Sequence, residues 1–310
     1  MKGFVHSVLV SLTLIISGTA FGQDEEPQLA EYLPNSHQES VQAWSTAKLE
    51  RAFHAMYDLD FGTADLELNQ FVAQRPTDPL GPAGQAADIL LSLFEQHHIV
   101  QSEFFSSDDH YAKRQTITPD QALLRRFEER LQRAEKLARL SLAKNAAEDE
   151  NALFALTLVY GLRADYAALV DHRDLAALRF SNTANHWARK LLSVSPQFSD
   201  AYVATGIQKY LVSLRPAPIR WMLRIGGIRG DREEGFRDLE VAASTGRYLA
   251  PFARIVLAVA HLRQRRQQDA IQLLAGLRQQ FPHNRLFREE LARLKQSDLP
   301  SPQGSPLPSE

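Results

Sequence analysis

Ten histidines and 37 acidic residues in a 310-residue chain are the raw material for metal binding or acid–base work, and their spacing decides how much of it is usable. The one tandem pair is His97-His98, with Asp108, Asp109 and His110 following in a polar stretch. Adjacent helical residues splay about 100° apart, whereas a metal needs ligands that converge. Asp165, Asp171, His172 and Asp174 form another group and read as charged helix ends rather than as acid–base machinery. No P-loop, nucleophile elbow or HExxH sequence occurs. The absence of cysteine excludes disulfides, thiolate metal sites and a cysteine nucleophile. Gly226-Gly227-Ile228-Arg229-Gly230 leads into a helix near Asp231, where free amides would hold an anion. Asp231 is, however, the natural N-cap, and the glycines lack the spacing of a nucleotide loop. The expectation is a protein that is not an enzyme and carries no metal or cofactor.

The elements that would position any site are helices. Leu, Ala, Arg and Gln dominate from about residue 40 to 296, and alternating β-type runs are scarce. In the segment after Thr118, the residues Leu124, Phe127, Leu131, Ala134, Ala138 and Ser141 recur at steps of three and four, one buried stripe on a helix that Thr118 would cap. Similar periodicity predicts helices over 41–58, 63–75, 83–103, 150–170, 174–194, 199–213, 231–244, 251–265, 268–280 and 285–296. With 35 basic residues against 37 acidic, the balance gives no pull toward nucleic acid.

Small residues and prolines recur across these helices. Ala64, Ala184 and Ala270 each stand twelve residues before a proline, Pro76, Pro196 and Pro282. A small residue lets the second helix of a hairpin approach the first, and the proline opens the turn to the next hairpin. Ala258, twelve before Ala270, is the matching small residue on the preceding helix, and Gly235 lies 35 residues before Ala270. These features resemble the tetratricopeptide repeat, a helix-turn-helix unit of about 34 residues. The match spans most of 40–296 and departs from the family at its tryptophan position, where Tyr202 is the nearest equivalent. GDREEGFRDLEVAASTGRY (Gly230–Tyr248) followed by FPHNRLF (Phe281–Phe287) is similar to a group of exported bacterial tetratricopeptide proteins.

The resemblance implies an all-α fold of helical hairpins stacked into a right-handed solenoid, and a scaffold that offers a concave groove to a protein partner. The family's groove-facing positions fall on Phe53, Tyr57, Phe154, Ile207, Tyr210, Phe252 and Val259. The competing expectation is that these side chains fill a tightly wound superhelix, since aromatic stripes at helical spacing are usually core. The segment 214–230 exceeds the repeat length and reads as an insertion carrying Trp221, Arg224 and Arg229. It is either a lip for a partner or an anionic bilayer, or a wedge that plugs the groove. Lys2 and the apolar stretch Val8–Ile16, with Ala20 and Gly22 before Gln23, predict a signal peptide over 1–22 and export to the periplasm, with a retained N-terminal anchor as the alternative. A linker over 23–40, a repeat domain over 41–296 and a Pro/Ser-rich disordered tail over 297–310 complete the expected organisation. No second apolar run is expected to span a bilayer.

Overall fold

The computed structural model describes residues 35–97, 99, 117–144, 149–215 and 230–297. Within them the chain is all-α, with eleven helices and no strand. They are α1 (Asn35–Tyr57), α2 (Phe61–Gln74), α3 (Leu80–Gln96), α4 (Gln121–Lys144), α5 (Glu150–Leu169) and α6 (Asp174–Val194), then α7 (Tyr202–Ser213), α8 (Arg232–Thr245), α9 (Ala250–Arg263), α10 (Gln267–Gln280) and α11 (Arg285–Ser297). A 3-10 turn, Ser199–Ala201, leads into α7. The signal peptide, most of the expected linker and insertion, and all but the first residue of the tail lie outside the described residues.

From α5 onward the expected limits hold to within three residues, the largest difference being α7, whose expected first three residues form the 3-10 turn. Three earlier expectations do not hold. α1 begins at Asn35, inside the segment expected to be a linker. α3 ends at Gln96 rather than at 103, because Ile99 donates to the Phe94 carbonyl at 2.9 Å and turns the chain away. α4 is capped by Asp120 in place of Thr118: the Asp120 carboxylate accepts from the Ala122 N–H at 2.9 Å. A charged acceptor beside the first turn outcompetes a hydroxyl two residues earlier.

Four of the helices bury the same stripe. Positions stepping by four and then three are Ala64, Leu68 and Phe71 in α2, Ala184, Ala188 and Leu191 in α6, Gly235, Leu239 and Ala242 in α8, and Ala270, Leu274 and Leu277 in α10. Each stripe ends in the same cap. The N–H groups of Arg75, Ser195, Gly246 and Phe281 donate to the Phe71, Leu191, Ala242 and Leu277 carbonyls at 2.8–2.9 Å. In three copies a proline follows, and with no N–H to donate it cannot continue the helix. The turn then closes through Asp78 to Arg75, Phe198 to Ser195 and Asn284 to Phe281, at 3.0–3.2 Å. The alanine–proline spacing thus marks a repeated turn, while Ala258 is buried against the core as the small residue on α9.

The intervening helices are more enclosed. α5 is apolar on nearly every side, with Ala152 through Val159 all buried. Contrary to expectation, it is long and apolar enough to cross a membrane by composition, but here α3, α4 and α6 cover it. One polar tie binds it to α4. The Glu135 carboxylate accepts from the Tyr160 hydroxyl at 2.7 Å and pairs with Arg163 at 2.6 Å and Arg139 at 2.8 Å. Burial alone would raise Glu135, yet the Tyr160, Arg163 and Arg139 hydrogen bonds outweigh it and hold the carboxyl down at about 2.

α7 and α8 touch backbone to backbone at a glycine pair. A Cβ on Gly235 would lie 2.8 Å from the Tyr210 nitrogen, and one on Gly206 would lie 3.0 Å from the Gly235 oxygen. Gly235→Ala is therefore expected to force the helices apart and lower stability by about 1–3 kcal/mol in urea unfolding. Gly161→Ala in α5, where nothing lies within 4 Å of the added methyl, should instead be neutral or stabilising by up to about 1 kcal/mol.

Candidate functional site

The seven expected groove positions do not form an open surface. Phe154 has 0% exposure, and Phe53, Tyr57 and Tyr210 are buried with it, while Ile207, Phe252 and Val259 are half-buried. Aromatic partners from other parts of the chain cover the four buried ones. Tyr248 stacks on Phe154 at 5.7 Å between ring centres and meets Phe53 at 5.3 Å. Phe198 packs on Phe154 at 5.0 Å, Phe281 on Tyr57 at 5.8 Å, and Phe236 edge-on against Tyr210 at 5.6 Å. Phe53, Tyr57, Phe154 and Tyr210 are core residues here, because ring-on-ring burial leaves them no face for a partner. Burial raises the Tyr57 hydroxyl, an effect the Asp200 charge reinforces, and pushes Tyr248 up to about 12, so both stay neutral phenols.

Asp200 sets the position of Tyr248. Its carboxylate, 3% exposed, accepts from three consecutive backbone N–H groups: Arg247 at 2.9 Å, Tyr248 at 2.9 Å and Leu249 at 2.6 Å. Burial raises this carboxyl, and the three amides oppose the rise. The turn they anchor begins at Gly246, where a Cβ would stand 2.5 Å from the Ala242 oxygen and 3.1 Å from an Asp200 oxygen. The sequence did carry a signal for these residues. Tyr248 and Phe281 belong to the two segments, Gly230–Tyr248 and Phe281–Phe287, that carry the family resemblance.

The two ends of the described chain also meet. Asp58, just after α1, accepts the His283 N–H at 2.9 Å and faces its Nδ1 at 2.7 Å, across 225 residues of sequence. Asn284, itself buried, donates to the Tyr57 carbonyl at 2.7 Å. Arg285 pairs with Glu95 of α3 at 2.5 Å, and Arg247 pairs with Glu50 of α1.

Trp221, Arg224 and Arg229 lie outside the described residues. The flanks of that segment are close together, since a Cβ on Gly230 would sit 2.6 Å from the Ser213 nitrogen. Asp231 caps α8, accepting the Glu234 N–H at 2.9 Å. Among the described residues no three His, Asp or Glu side chains gather around a common point. Asp171 and His172 lie in the α5–α6 turn and Asp174 opens α6. Asp165 departs from its expected place at a helix end: it sits within the body of α5, and burial pushes its carboxyl up to about 7.

Two outcomes follow from these ties. Asp200→Ala strands three amides that have no other acceptor in the turn, and should cost about 2–3 kcal/mol in chemical unfolding, with Asp200→Asn intermediate. The Asp58 carboxylate, through its hydrogen bond and charge, raises His283 above the usual imidazole value. Its contribution is complete below the unfolded value of about pH 6.5 and is lost as pH rises through the folded one. The thermal midpoint of the native chain should exceed that of His283→Gln by more at about pH 5.5 than at about pH 8.5.

No protein-family model, curated protein or solved structure matches this chain, so its residues alone carry the functional reading.

Proposed function

We propose that this chain is a non-catalytic helical-repeat scaffold whose hairpins stack in the manner of tetratricopeptide repeats, as a right-handed solenoid, and that it binds a protein partner in the cell envelope. The repeated stripe and cap of α2, α6, α8 and α10 support the stacking, as do the contacts of α1 with α3 and of α3 with α5. Such a frame needs no active site; it needs a face.

The observation that carries the reading is where large apolar side chains remain exposed. Leu66 on α2, Leu140 on α4, Leu175, Leu178 and Val194 on α6, and Val241 on α8 all keep 39% or more of their surface in solvent, with Leu211 on α7 and Leu214 just after it the exposed apolar residues that lie elsewhere. Those six sit on the second helices of the pairs, whereas Phe53, Tyr57, Phe154 and Tyr210 of the expected groove are buried. Leu175 and Leu178 are three apart and share one face of α6. Further along α6, half-buried Trp187 lies under the Arg139 guanidinium at 5.8 Å and the Lys190 amine at 5.7 Å. Tryptophan and arginine are the residue types that dominate binding energy at interfaces. The partner face is thus this outer row, in place of the groove first expected. Placement in the envelope rests on the N-terminal apolar stretch Val8–Ile16.

In-cell photo-crosslinking from Leu178, followed by mass spectrometry, tests the reading. One reproducible envelope protein should be captured, and Leu175→Glu with Leu178→Glu should abolish its capture while moving the melting temperature by less than about 2 °C. Capture that survives the double substitution, or recovery of lipid alone, would overturn it.

A further inference from the structure

α3 lies hard against α2. A Cβ on Gly84 would stand 2.7 Å from Leu68 Cδ2, and one on Gly81 would stand 2.6 Å from Val72 Cγ2, so both glycines mark a close crossing of the two helices. Next to that crossing α3 carries Gln85 and Asp88, three residues apart, and α2 carries Asp65 and Asn69, four apart. Residues three or four apart share one face of a helix. Two carboxylates and two carboxamides therefore line the seam between α2 and α3.

The hydrogen bonds along this seam run in one direction. The Gln85 amide donates to Asn69 Oδ1 at 2.7 Å, and the Asn69 amide donates to Asp65 Oδ2 at 2.9 Å. Both amides thus donate toward Asp65. At the other end, Gln85 Oε1 and Asp88 Oδ1 are buried and receive no hydrogen bond from the protein. Gln85 is 7% exposed and Asp88 9%, so two enclosed acceptors sit one turn apart on α3 with nothing donating to them. Burial raises the Asp88 carboxyl, the Asp65 charge adds to the rise, and Arg126 of α4 opposes it. Asp65 and Asn69 are exposed, which leaves one edge of the seam open to solvent.

We propose that this seam binds a calcium ion, with Asp65, Asp88 and the Gln85 side-chain oxygen as its protein ligands. Two acceptors without donors, beside two carboxylates that act on each other, call for positive charge, and two carboxylates match a divalent ion. The donor atoms are all oxygens, which select a hard cation over zinc or copper, whose preferred ligands are imidazole and thiolate. Calcium accepts an irregular set of six to eight oxygens, whereas magnesium demands near-octahedral geometry. Water reaching the ion past Asp65 and Asn69 completes the set. With only two carboxylates the affinity is modest, a Kd between about 0.1 and 1 mM, as in extracellular calcium modules. Such an ion clamps α2 to α3.

The full chain, stripped with a chelator, is titrated calorimetrically with calcium chloride at fixed ionic strength, with magnesium chloride as the comparator. One saturable calcium site is expected, about tenfold tighter than magnesium. Asp88→Asn should weaken it at least tenfold. Asp65→Asn changes an exposed side chain; it should weaken binding similarly while its calcium-free melting temperature stays within about 2 °C of the native one. Arg126→Gln removes the opposing charge and should tighten binding about threefold. Saturating calcium should raise the melting temperature of the native chain and leave that of Asp88→Asn unchanged. Absence of saturable calcium binding, magnesium binding just as tight, or equal calcium binding in the native chain and both aspartate variants would overturn the proposal.

Discussion

Everything at the centre of this molecule hangs on the Asp200 carboxylate. It sits in a 3-10 turn before α7, yet what it holds is the start of α9: three successive amides that would otherwise be unpaired donors at a helix N-terminus. Fixing those amides fixes the Gly246–Leu249 turn, and the turn delivers Tyr248 onto Phe154 and Phe53. Without that anchor the α8–α9 turn has no reason to lean inward, and the ring cluster has no central member. Hydrogen bonding and aromatic burial are thus coupled in series: the polar tie sets the geometry that the apolar contact exploits.

This dependence also explains what could be read from the sequence and what could not. Helix limits were legible because they follow from local rules. Ala184 and Pro196 lie on one helix and its own turn, and their spacing alone predicts a close approach followed by a stop. Asp120 displaced Thr118 for a reason equally local, the stronger acceptor of two neighbours, and a closer comparison of those side chains would have found it. The fate of the groove was a different kind of question. Whether Phe154 faces a partner or a ring of its own chain depends on Tyr248 and Phe198, which come from two other turns. No periodicity within α5 distinguishes the two cases, since an apolar face looks the same whichever surface covers it. The hint lay in the segments Gly230–Tyr248 and Phe281–Phe287. Their residues stood out as a pattern, but their physical work is to fill, cap and cross closely.

Functionally, the filled centre redirects attention outward. Under the proposed scaffold reading, with aromatic side chains filling the centre, the exposed apolar residues are the surface left for contact. The exposed leucines and valines on α2, α4, α6 and α8 and the Trp187 cluster sit on helices whose buried stripe is narrow, so most of each helix circumference is free to vary without disturbing the core.

The contact between Asp58 and the Pro282–Asn284 turn bears on how the molecule comes apart. A linear array of stacked units loses its ends first, each terminal unit held by a single neighbour, and melts inward step by step. Here the first hairpin is a neighbour of the last, through the buried Asn284 side chain and the Arg285–Glu95 pair. Peeling either end means breaking two interfaces at once. Unfolding becomes more concerted across the described chain, and joining residues 225 apart in sequence adds a loop-closure cost that grows only with the logarithm of loop length. A helical chain closed on itself in this way trades the elasticity of an open spring for the all-or-none behaviour of a globular domain.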